Sequence, residues 1–262
     1  MHEALEAAIR RFAAAPSADE LDAALLVSRT LDPDIDEAGV RGRVAEICSA
    51  CTDPHAPWQL LAELDFRGDA DDYDALDNSR IERVLERRRG IPITLGVLLI
   101  AVARQLGGAA QGINFPGHFL VRVGGQLVDP FLMAPVSAEQ CLSRLPAAER
   151  TLPRDQLFAP AGTVAVALRM LNNLKFRFAR AREWHRALDV LDAQMLLSPR
   201  EPGLHLERGD YWQQLGIAAP ARAAYVEAMH LCAGSQTPRL QQLRQQAQAR
   251  LQSLSGRDDV IH

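Results

Sequence analysis

The amino-acid sequence predicts an α+β domain that contains a small antiparallel sheet and is followed by an all-α region. An apolar run over residues 93–106 is hydrophobic on nearly every side, which predicts a helix buried all round. Two alternating segments on either side of Gly124-Gly125 predict a β-hairpin. From about residue 164 to residue 255 the pattern is helical and carries no strand signal. We therefore expect the sheet and the later helices to be segregated along the chain.

The division into domains follows from this change of pattern. We predict a first domain at residues 1–160, whose helical N-terminal part covers residues 1–66, and a second domain at residues 161–262. In the N-terminal part, Ser17 followed by Glu20 has the spacing of a capping box, so a helix is expected to begin directly after Ser17.

Composition limits the classes of function. The chain has 262 residues, a formal net charge of −4 and a pI near 6.0, so it lacks the basic field that attracts nucleic acid. No apolar run reaches the ~18–20 residues of a membrane span, and the first residues lack the regions of a signal peptide. Four cysteines in a chain of this length are not a disulfide framework and fit a reducing compartment. We expect a cytoplasmic protein that binds neither nucleic acid nor membranes.

The second domain contains an internal repeat. Residues 184–188 align with residues 218–222 at an offset of 34, and small residues recur at Ala187 and Ala221. A helix-turn-helix period of 34 residues is typical of tetratricopeptide repeats, whose stacked helices present a concave surface to a protein or peptide. A plain helical bundle is the alternative, because the repeat is only partial.

The hairpin is expected to bring a histidine and an aspartate together. With Gly124-Gly125 as the turn, Val123 faces Gln126, and counting outward places His118 and Asp129 on one face, roughly 7–8 Å apart at the backbone. An imidazole–carboxylate hydrogen bond can span this separation. An aspartate that orients a histidine is the second half of a nucleophile–His–Asp triad. A polar pair kept for structural reasons is the alternative.

The sequence supplies no cysteine where the nucleophile of such a triad is expected. That position is the N-terminus of the buried helix, where the helix dipole lowers the pKa of a thiol. The helix is predicted to begin at Pro92 to Thr94, and Thr94 is a weak candidate because its hydroxyl needs activation by a base. Cys141, on a short helix expected after the hairpin, is a rearranged alternative.

Several motifs resemble those of the bacterial SirB-one family, a transglutaminase-like, papain-like thiol fold followed by tetratricopeptide-like helices. The resemblance covers most of the chain, and its motifs lie at residues 78–79, 88–95, 114–120, 128–131 and 170–175.

The resemblance implies roles for particular residues. His118 and Asp129 match the catalytic His and Asp of the thiol fold, and Pro92 stands at the position of the catalytic Cys. The segments Asn78-Ser79 and Asn114-Phe115 are expected to line the groove of the site. The family lacks the nucleophilic Cys and has no firmly assigned reaction.

Two further patterns predict structural roles. Cys48-x-x-Cys51 has the spacing of a redox or metal motif, but it falls at the end of a helix and has no second Cys/His pair, so we interpret both residues as structural thiols. The acidic stretch over residues 63–77 predicts a solvated loop and does not fit a calcium loop. We expect no metal and no cofactor.

The sequence leaves two main functions open. The first is a non-catalytic protein-interaction or regulatory scaffold that binds a protein or peptide near His118 and Asp129. The second is a hydrolase or acyltransferase in which His118 acts as a general base toward a peptide or amide. A third hypothesis, regulation of gene expression through contact with a transcription factor, rests on the family name alone. The sequence leaves the oligomeric state open.

Overall fold

The computed structural model describes residues 3–51, 53–146 and 149–258 of the chain. Contacts group the chain into two units. The N-terminal unit comprises residues 11–170, and the C-terminal unit comprises residues 171–262 together with residues 1–10. The α+β fold class is confirmed, because small sheets occur among the helices of the N-terminal unit and a helical region follows. The domain boundary at residue 160 stays a prediction.

Thirteen α-helices and six short strands are present in the described residues. The helices are α1 Glu3–Ala14, α2 Glu20–Arg29, α3 Glu37–Ser49, α4 Pro57–Glu63, α5 Ile81–Arg87, α6 Pro92–Gln105, α7 Ala138–Ser143, α8 Arg154–Leu157, α9 Thr163–Arg180, α10 Trp184–Leu197, α11 Pro202–Gln214, α12 Ala218–Leu231 and α13 Pro238–Asp258. The strands are β1 Arg67–Gly68, β2 Arg89–Gly90, β3 Ala110–Ile113, β4 Leu120–Val123, β5 Gln126–Asp129 and β6 Ala134–Pro135. No described helix combines the length and apolar character needed to cross a membrane.

Helix α6 is the centre of the N-terminal unit. Its apolar residues face every direction, and those from Pro92 to Ile100 are all buried. Helices α2, α3, α4 and α5 pack around it, and strands β3 and β4 cover it from another side. The predicted buried helix is therefore present. It is buried because apolar residues occupy nearly every side of it, as its sequence indicates.

The start of α2 differs from the sequence prediction. The capping box is formed by Asp19 and Asp22, each of whose carboxylates accepts the backbone N–H of the other at 2.9 Å. Ser17 lies in the turn after α1, which the Ala18 N–H closes onto the Ala15 carbonyl. The predicted Ser17 cap is wrong because that turn leaves Ser17 short of the helix.

Strands β3 to β6 form one antiparallel sheet in sequence order. The predicted hairpin register is confirmed, since Val123 pairs with Gln126 and Val121 with Val128. The sheet lies so close to α6 that a Cβ on Gly96 would approach the Phe119 ring to 2.7 Å, which is the physical reason for a glycine inside this helix.

A second apolar cluster covers the opposite face of the sheet. Its buried members are Ile113, Phe115, Leu120, Val136, Cys141, Leu145 and Leu157. Both faces of this small sheet are thus buried, so the sheet positions its loops rigidly between two apolar layers.

Strands β1 and β2 form a separate parallel pair that leads into α6. Gly68 pairs with Gly90, and the Gly68 N–H also donates to the Phe131 carbonyl at 2.8 Å. The Phe131 ring fills the space that a side chain at residue 68 would need. This pair therefore ties the chain segment just before Pro92 to the segment just after Asp129.

The C-terminal unit is made of packed antiparallel helices. Helices α10 and α12 each have 14 residues, and their first residues, Trp184 and Ala218, are separated by the predicted offset of 34. Helix α11 packs against α10, α12 and α13. The helical character of this region is confirmed, whereas its assignment as a tetratricopeptide repeat stays a prediction.

Candidate active site in the N-terminal unit

The loop between β3 and β4 positions His118. After β3 ends at Ile113, Gly117 adopts a left-handed φ of 68°, and the His118 N–H closes the turn onto the Phe115 carbonyl at 3.0 Å. His118 therefore lies in a tight turn directly before β4, not in the strand itself as the sequence predicted. The turn directs its partly exposed ring toward the end of β5.

Asp129 is the last residue of β5 and is almost completely buried, with 2% of its surface exposed. The His118 Nε2 atom lies 3.0 Å from its Oδ1 atom. The N–H direction at Nε2 is not aligned with that oxygen, so the contact is a close electrostatic pair and not a well-formed hydrogen bond. The Phe131 N–H donates to the same oxygen at 3.0 Å, and Arg144 Nη1 lies 3.4 Å from Oδ2.

Asp129 remains ionised because its partners outweigh its burial. Burial acts to raise the pKa of the Asp129 carboxyl, since desolvation disfavours the charged form. The His118 ring and the backbone N–H groups of Phe131 and Leu132 act in the opposite direction, and the net result is a lowered pKa. Because the carboxylate lies beside Nε2, Nδ1 is the other ring nitrogen of His118 with which a ligand can form a hydrogen bond.

A pocket of about 230 Å³ opens beside this pair. His118, Arg144 and Glu149 supply its polar groups, and Phe115 and Leu145 supply apolar wall. Cys141 also lines it. The volume is below the ~300–1,000 Å³ of drug-sized ligand sites, so the pocket is suited to one side chain or one chain end.

Cys141 lines the pocket but is not an activated thiol. Only 3% of its surface is exposed, and burial raises the pKa of the thiol, with the charges of Asp129 and Glu139 acting in the same direction. Arg144 opposes this increase without reversing it. Because the thiolate is the nucleophilic form, a raised pKa keeps this cysteine in its unreactive state at neutral pH.

The structure places Thr94 away from the pocket. Thr94 is the third residue of α6, is completely buried, and its hydroxyl has no hydrogen-bond partner among the described residues. It does not line the pocket that contains His118. Pro92, also buried, is the first residue of the same helix, where its missing N–H costs no intrahelical hydrogen bond.

The four residues expected in the groove have different surroundings. Phe115 lines the pocket, and Asn114 is exposed at the start of the same loop. Asn78 is completely buried and acts on the backbone: its Nδ2 donates to the Asp72 and Tyr73 carbonyls at 2.7 and 3.3 Å. Ser79 is buried beside it.

The acidic stretch is more ordered than the sequence indicates. Asp69 is buried, accepts the Asp72 N–H at 3.1 Å and lies 3.0 Å from Arg87 Nη2. Arg87 also donates to Asn78 Oδ1 at 3.0 Å. The sequence interpretation of a solvated loop is therefore wrong at Asp69, because Asn78 and Arg87 bind this part of the loop from inside.

The remaining thiols have no metal partners in the part of the chain that the structure describes. Cys48 and Cys51 are half-buried, and burial raises the pKa of Cys48. Residues 3–51, 53–146 and 149–258 contain no group of three His, Cys, Asp or Glu side chains able to hold a metal ion.

Comparison with known proteins finds a family that part of this unit resembles. Residues 46–172 match the sequence model of the family described as Transglutaminase-like superfamily. Over this stretch, just under half of the chain, the sequence is similar to a transglutaminase-like superfamily domain. The stretch contains β1 to β6 and α6, and thus His118, Asp129 and the pocket beside them.

Relatives of this transglutaminase-like domain occur in several organisms. A UPF0162 protein of Xylella fastidiosa is 37% identical over 173 residues, which is 62% of each chain. A UPF0162 protein of Vibrio cholerae is 30% identical over 160 residues, 58% of this chain and 59% of that protein. F-box only protein 21 of Mus musculus is 46% identical over 63 residues, 24% of this chain and 10% of that protein.

These matches confirm the resemblance predicted from the sequence. The chain spans about three fifths of the length of the UPF0162 relatives that it matches. No solved structure matched the chain.

Sequence reasoning missed one functional group of the transglutaminase-like domain. Arg144 lies 15 positions after Asp129, just beyond α7, and reaches the Asp129 carboxylate from the far side of the pocket. No motif marks it. Its only sequence signal is its place after the Ser137 capping box, which fixes the length and direction of α7.

Proposed function

We propose that this chain is a non-catalytic interaction protein that binds a peptide segment of another protein in the His118 pocket. One observation supports this most directly. The His118–Asp129 pair is present and its histidine lines the pocket, but the position expected for a nucleophile is occupied by Pro92. A histidine oriented by a buried carboxylate then serves as a hydrogen-bonding group for a ligand.

The chemistry of the pocket supports a peptide as the occupant. Phe115 and Leu145 offer apolar contact, and His118 offers one ring nitrogen to a donor or acceptor. Arg144, with 57% of its side chain exposed, places a cation at the pocket that can pair with a carboxylate. The pocket therefore fits a single apolar or acidic side chain presented by an otherwise exposed peptide.

The C-terminal helices are proposed to have a protein-binding surface of their own. The small residues Ala187 and Ala221, which lie 34 positions apart, are both completely buried. Stacked helical repeats present a continuous surface that can hold an extended peptide. In this proposal the chain acts as a scaffold in the bacterial cytoplasm, and the His118 pocket supplies part of its specificity.

The proposal is tested by peptide selection against the full chain. Phage-displayed random peptides are selected on the unmodified protein, and the selected peptides are then tested on the His118→Ala and Arg144→Gln variants and on the His118→Ala/Arg144→Gln double variant. The dissociation constant of each selected peptide is then measured by fluorescence anisotropy. We expect His118→Ala and Arg144→Gln each to raise the dissociation constant by about ten-fold, because each removes one charge-assisted hydrogen bond to the peptide.

A matched control separates loss of the pocket from general damage. Cys51→Ser changes a half-buried residue that does not line the pocket, and it should leave the dissociation constant unchanged. Selected peptides that bind the double variant as tightly as the unmodified protein would contradict the proposal.

Hydrolysis or acyl transfer is the second candidate function. It is favoured by the presence of His118 and Cys141 in one pocket. His118 would take a proton from water or from the thiol, the resulting nucleophile would add to an amide or ester carbonyl, and the leaving group would receive the proton. Release of amine from peptide amides that is abolished by His118→Ala would support this function and refute the first.

A further inference from the structure

Cys48 and Cys51 lie at the end of α3, in a segment that the proposed function does not use. The Cys51 N–H donates to the Cys48 carbonyl at 3.1 Å, and Ala50 between them has a φ of −86° and a ψ of −1°. Following the helical Ser49, these angles describe a type I β-turn, in which the first and fourth Cα atoms lie less than ~7 Å apart. A protein disulfide joins Cα atoms that are about 4.4–6.8 Å apart. The turn therefore brings the two cysteines close enough for a disulfide.

These two thiols are more accessible than the other cysteines. Cys48 and Cys51 are half-buried, whereas Cys141 and Cys232 expose only 3% and 2% of their surface. The Cys48 thiol donates to the Val102 carbonyl across 3.8 Å, and burial raises its pKa, with Cys51 acting in the same direction. Because the thiolate is the attacking form, we expect Cys51 to react first and Cys48 second.

The location at a helix C-terminus determines how this pair behaves once it is oxidised. A helix N-terminus stabilises thiolates, and a stabilised reduced form makes the corresponding disulfide a strong oxidant that is easily reduced. The C-terminal end of α3 carries the opposite partial charge and gives thiolates no such stabilisation. We therefore expect a disulfide at this position to persist and not to oxidise other thiols.

We propose that Cys48 and Cys51 are a redox-modification site, which closes to an intramolecular disulfide when it reacts with a small-molecule disulfide. The Cys51 thiolate attacks one sulfur of that molecule, breaks its S–S bond, forms a mixed disulfide and releases one thiolate. The Cys48 thiolate then attacks the Cys51 sulfur and releases the second thiolate.

The reaction balances without a further reactant. The two cysteines lose two protons and two electrons, and the two thiols released from the small-molecule disulfide gain them. The site does not rest on the proposed function, because neither Cys48 nor Cys51 lines the His118 pocket.

The test uses glutathione disulfide as the probe on the reduced full chain at neutral pH. The reaction is quenched with N-ethylmaleimide in denaturant, and trypsin then leaves Cys48 and Cys51 together in the fragment of residues 44–67. We expect this fragment to lose two hydrogen atoms and to take up no maleimide, and dithiothreitol should reverse the change. The fragments that contain Cys141 and Cys232 should each take up one maleimide.

Single substitutions separate the two thiols. With Cys48→Ser, glutathione should remain attached to Cys51 as a mixed disulfide, because the second attacking thiol is missing. With Cys51→Ser, the mixed disulfide on Cys48 should form several-fold more slowly, since the pKa of this thiol is raised.

The urea-denatured chain is the matched control for the geometry. Folded and denatured chains are equilibrated in the same buffer of glutathione and glutathione disulfide. The ratio of disulfide to dithiol in the 44–67 fragment should be several-fold higher in the folded chain, because the turn already holds the two cysteines together.

Three results would overturn the proposal. They are a 44–67 fragment that stays reduced or keeps glutathione on both thiols, disulfides that link two chains, and a folded chain that forms no more of the disulfide than the denatured chain. If a single variant fails to fold, the fragment masses of the unmodified chain, folded and denatured, decide the question.

Discussion

Replacing Asp129 by asparagine should destabilise the N-terminal unit at neutral pH. The buried carboxylate accepts the Phe131 N–H and contacts His118, each at 3.0 Å, while the largely exposed Arg144 contributes little across 3.4 Å. Asparagine can still accept from Phe131 but no longer carries the charge that faces His118. A hydrogen bond to a charged group is worth about 1.5–3 kcal/mol and one between neutral groups about 0.5–1.5 kcal/mol, so weakening the Phe131 bond and losing the contact with His118 should lower the free energy of unfolding by about 1–2 kcal/mol.

The loss should depend on pH with a definite sign. The folded-state pKa of Asp129 is lowered relative to its ordinary value of ~3.9. The carboxylate therefore contributes its full stabilisation above about pH 4, and the contribution disappears as the pH falls through the folded-state pKa. The difference between the unmodified protein and Asp129→Asn should thus be largest near pH 7 and shrink in acid.

Urea unfolding at several pH values measures this difference. In a background with Trp184→Phe and Trp212→Phe, the buried Trp58 reports on the N-terminal unit alone. Asp71→Asn, at an exposed carboxylate, is the matched control and should change stability by less than about 0.5 kcal/mol. Equal stability of Asp129→Asn and the unmodified protein at pH 7, or a gap that does not change with pH, would refute the reasoning.

Three further predictions test other parts of the account. Gly96→Ala should lower the free energy of unfolding in urea by about 1–3 kcal/mol, because the new Cβ would approach the Phe119 ring to 2.7 Å. Its control, Gly42→Ala, lies in an exposed part of α3 with no neighbouring atoms and should raise the free energy of unfolding by about 0.5–1 kcal/mol. Asn78→Ala should cost roughly 1–3 kcal/mol in the same assay, because it removes a completely buried amide that donates to the Asp72 and Tyr73 carbonyls and accepts from Arg87. An unchanged midpoint would contradict the structural role of this residue. In the folded protein, the Cys141 thiol should react with a disulfide reagent far more slowly than the half-buried thiols of Cys48 and Cys51. Cys141→Ser should therefore remove only a slow phase of the reaction. A fast phase assigned to Cys141 would contradict the raised pKa of its thiol.

Local sequence patterns predicted much of the N-terminal unit. The register of the hairpin follows from Gly124-Gly125, because a two-residue turn fixes which residues face each other. The burial of α6 follows from its apolar residues alone. Both features depend on residues that are neighbours in sequence.

Other features depend on contacts between distant residues, and the sequence could not supply them. The turn that takes His118 out of β4 depends on the left-handed conformation of Gly117, although the predicted proximity of His118 and Asp129 holds. Arg144 reaches the Asp129 carboxylate from a segment that has no distinctive pattern.

The sequence also could not show which candidate site residues are buried away from the pocket. Asn78 belongs to a motif that indicated a groove, but the tertiary structure buries it against the backbone of the acidic loop. Thr94 is placed correctly at the start of α6, yet the sequence alone does not show that its side chain is completely buried. Burial is set by the packing of the whole unit and is not encoded at either position.

The most direct test of the central claim is the mass of a bound peptide and of the protein after prolonged incubation together. A peptide selected on the His118 pocket is incubated with the unmodified chain at a concentration well above its dissociation constant, and both are analysed by mass spectrometry. If the pocket binds without chemistry, both masses remain unchanged while His118→Ala loses affinity. A shortened or deamidated peptide, or an acyl adduct on the protein, that is absent with His118→Ala would contradict the account.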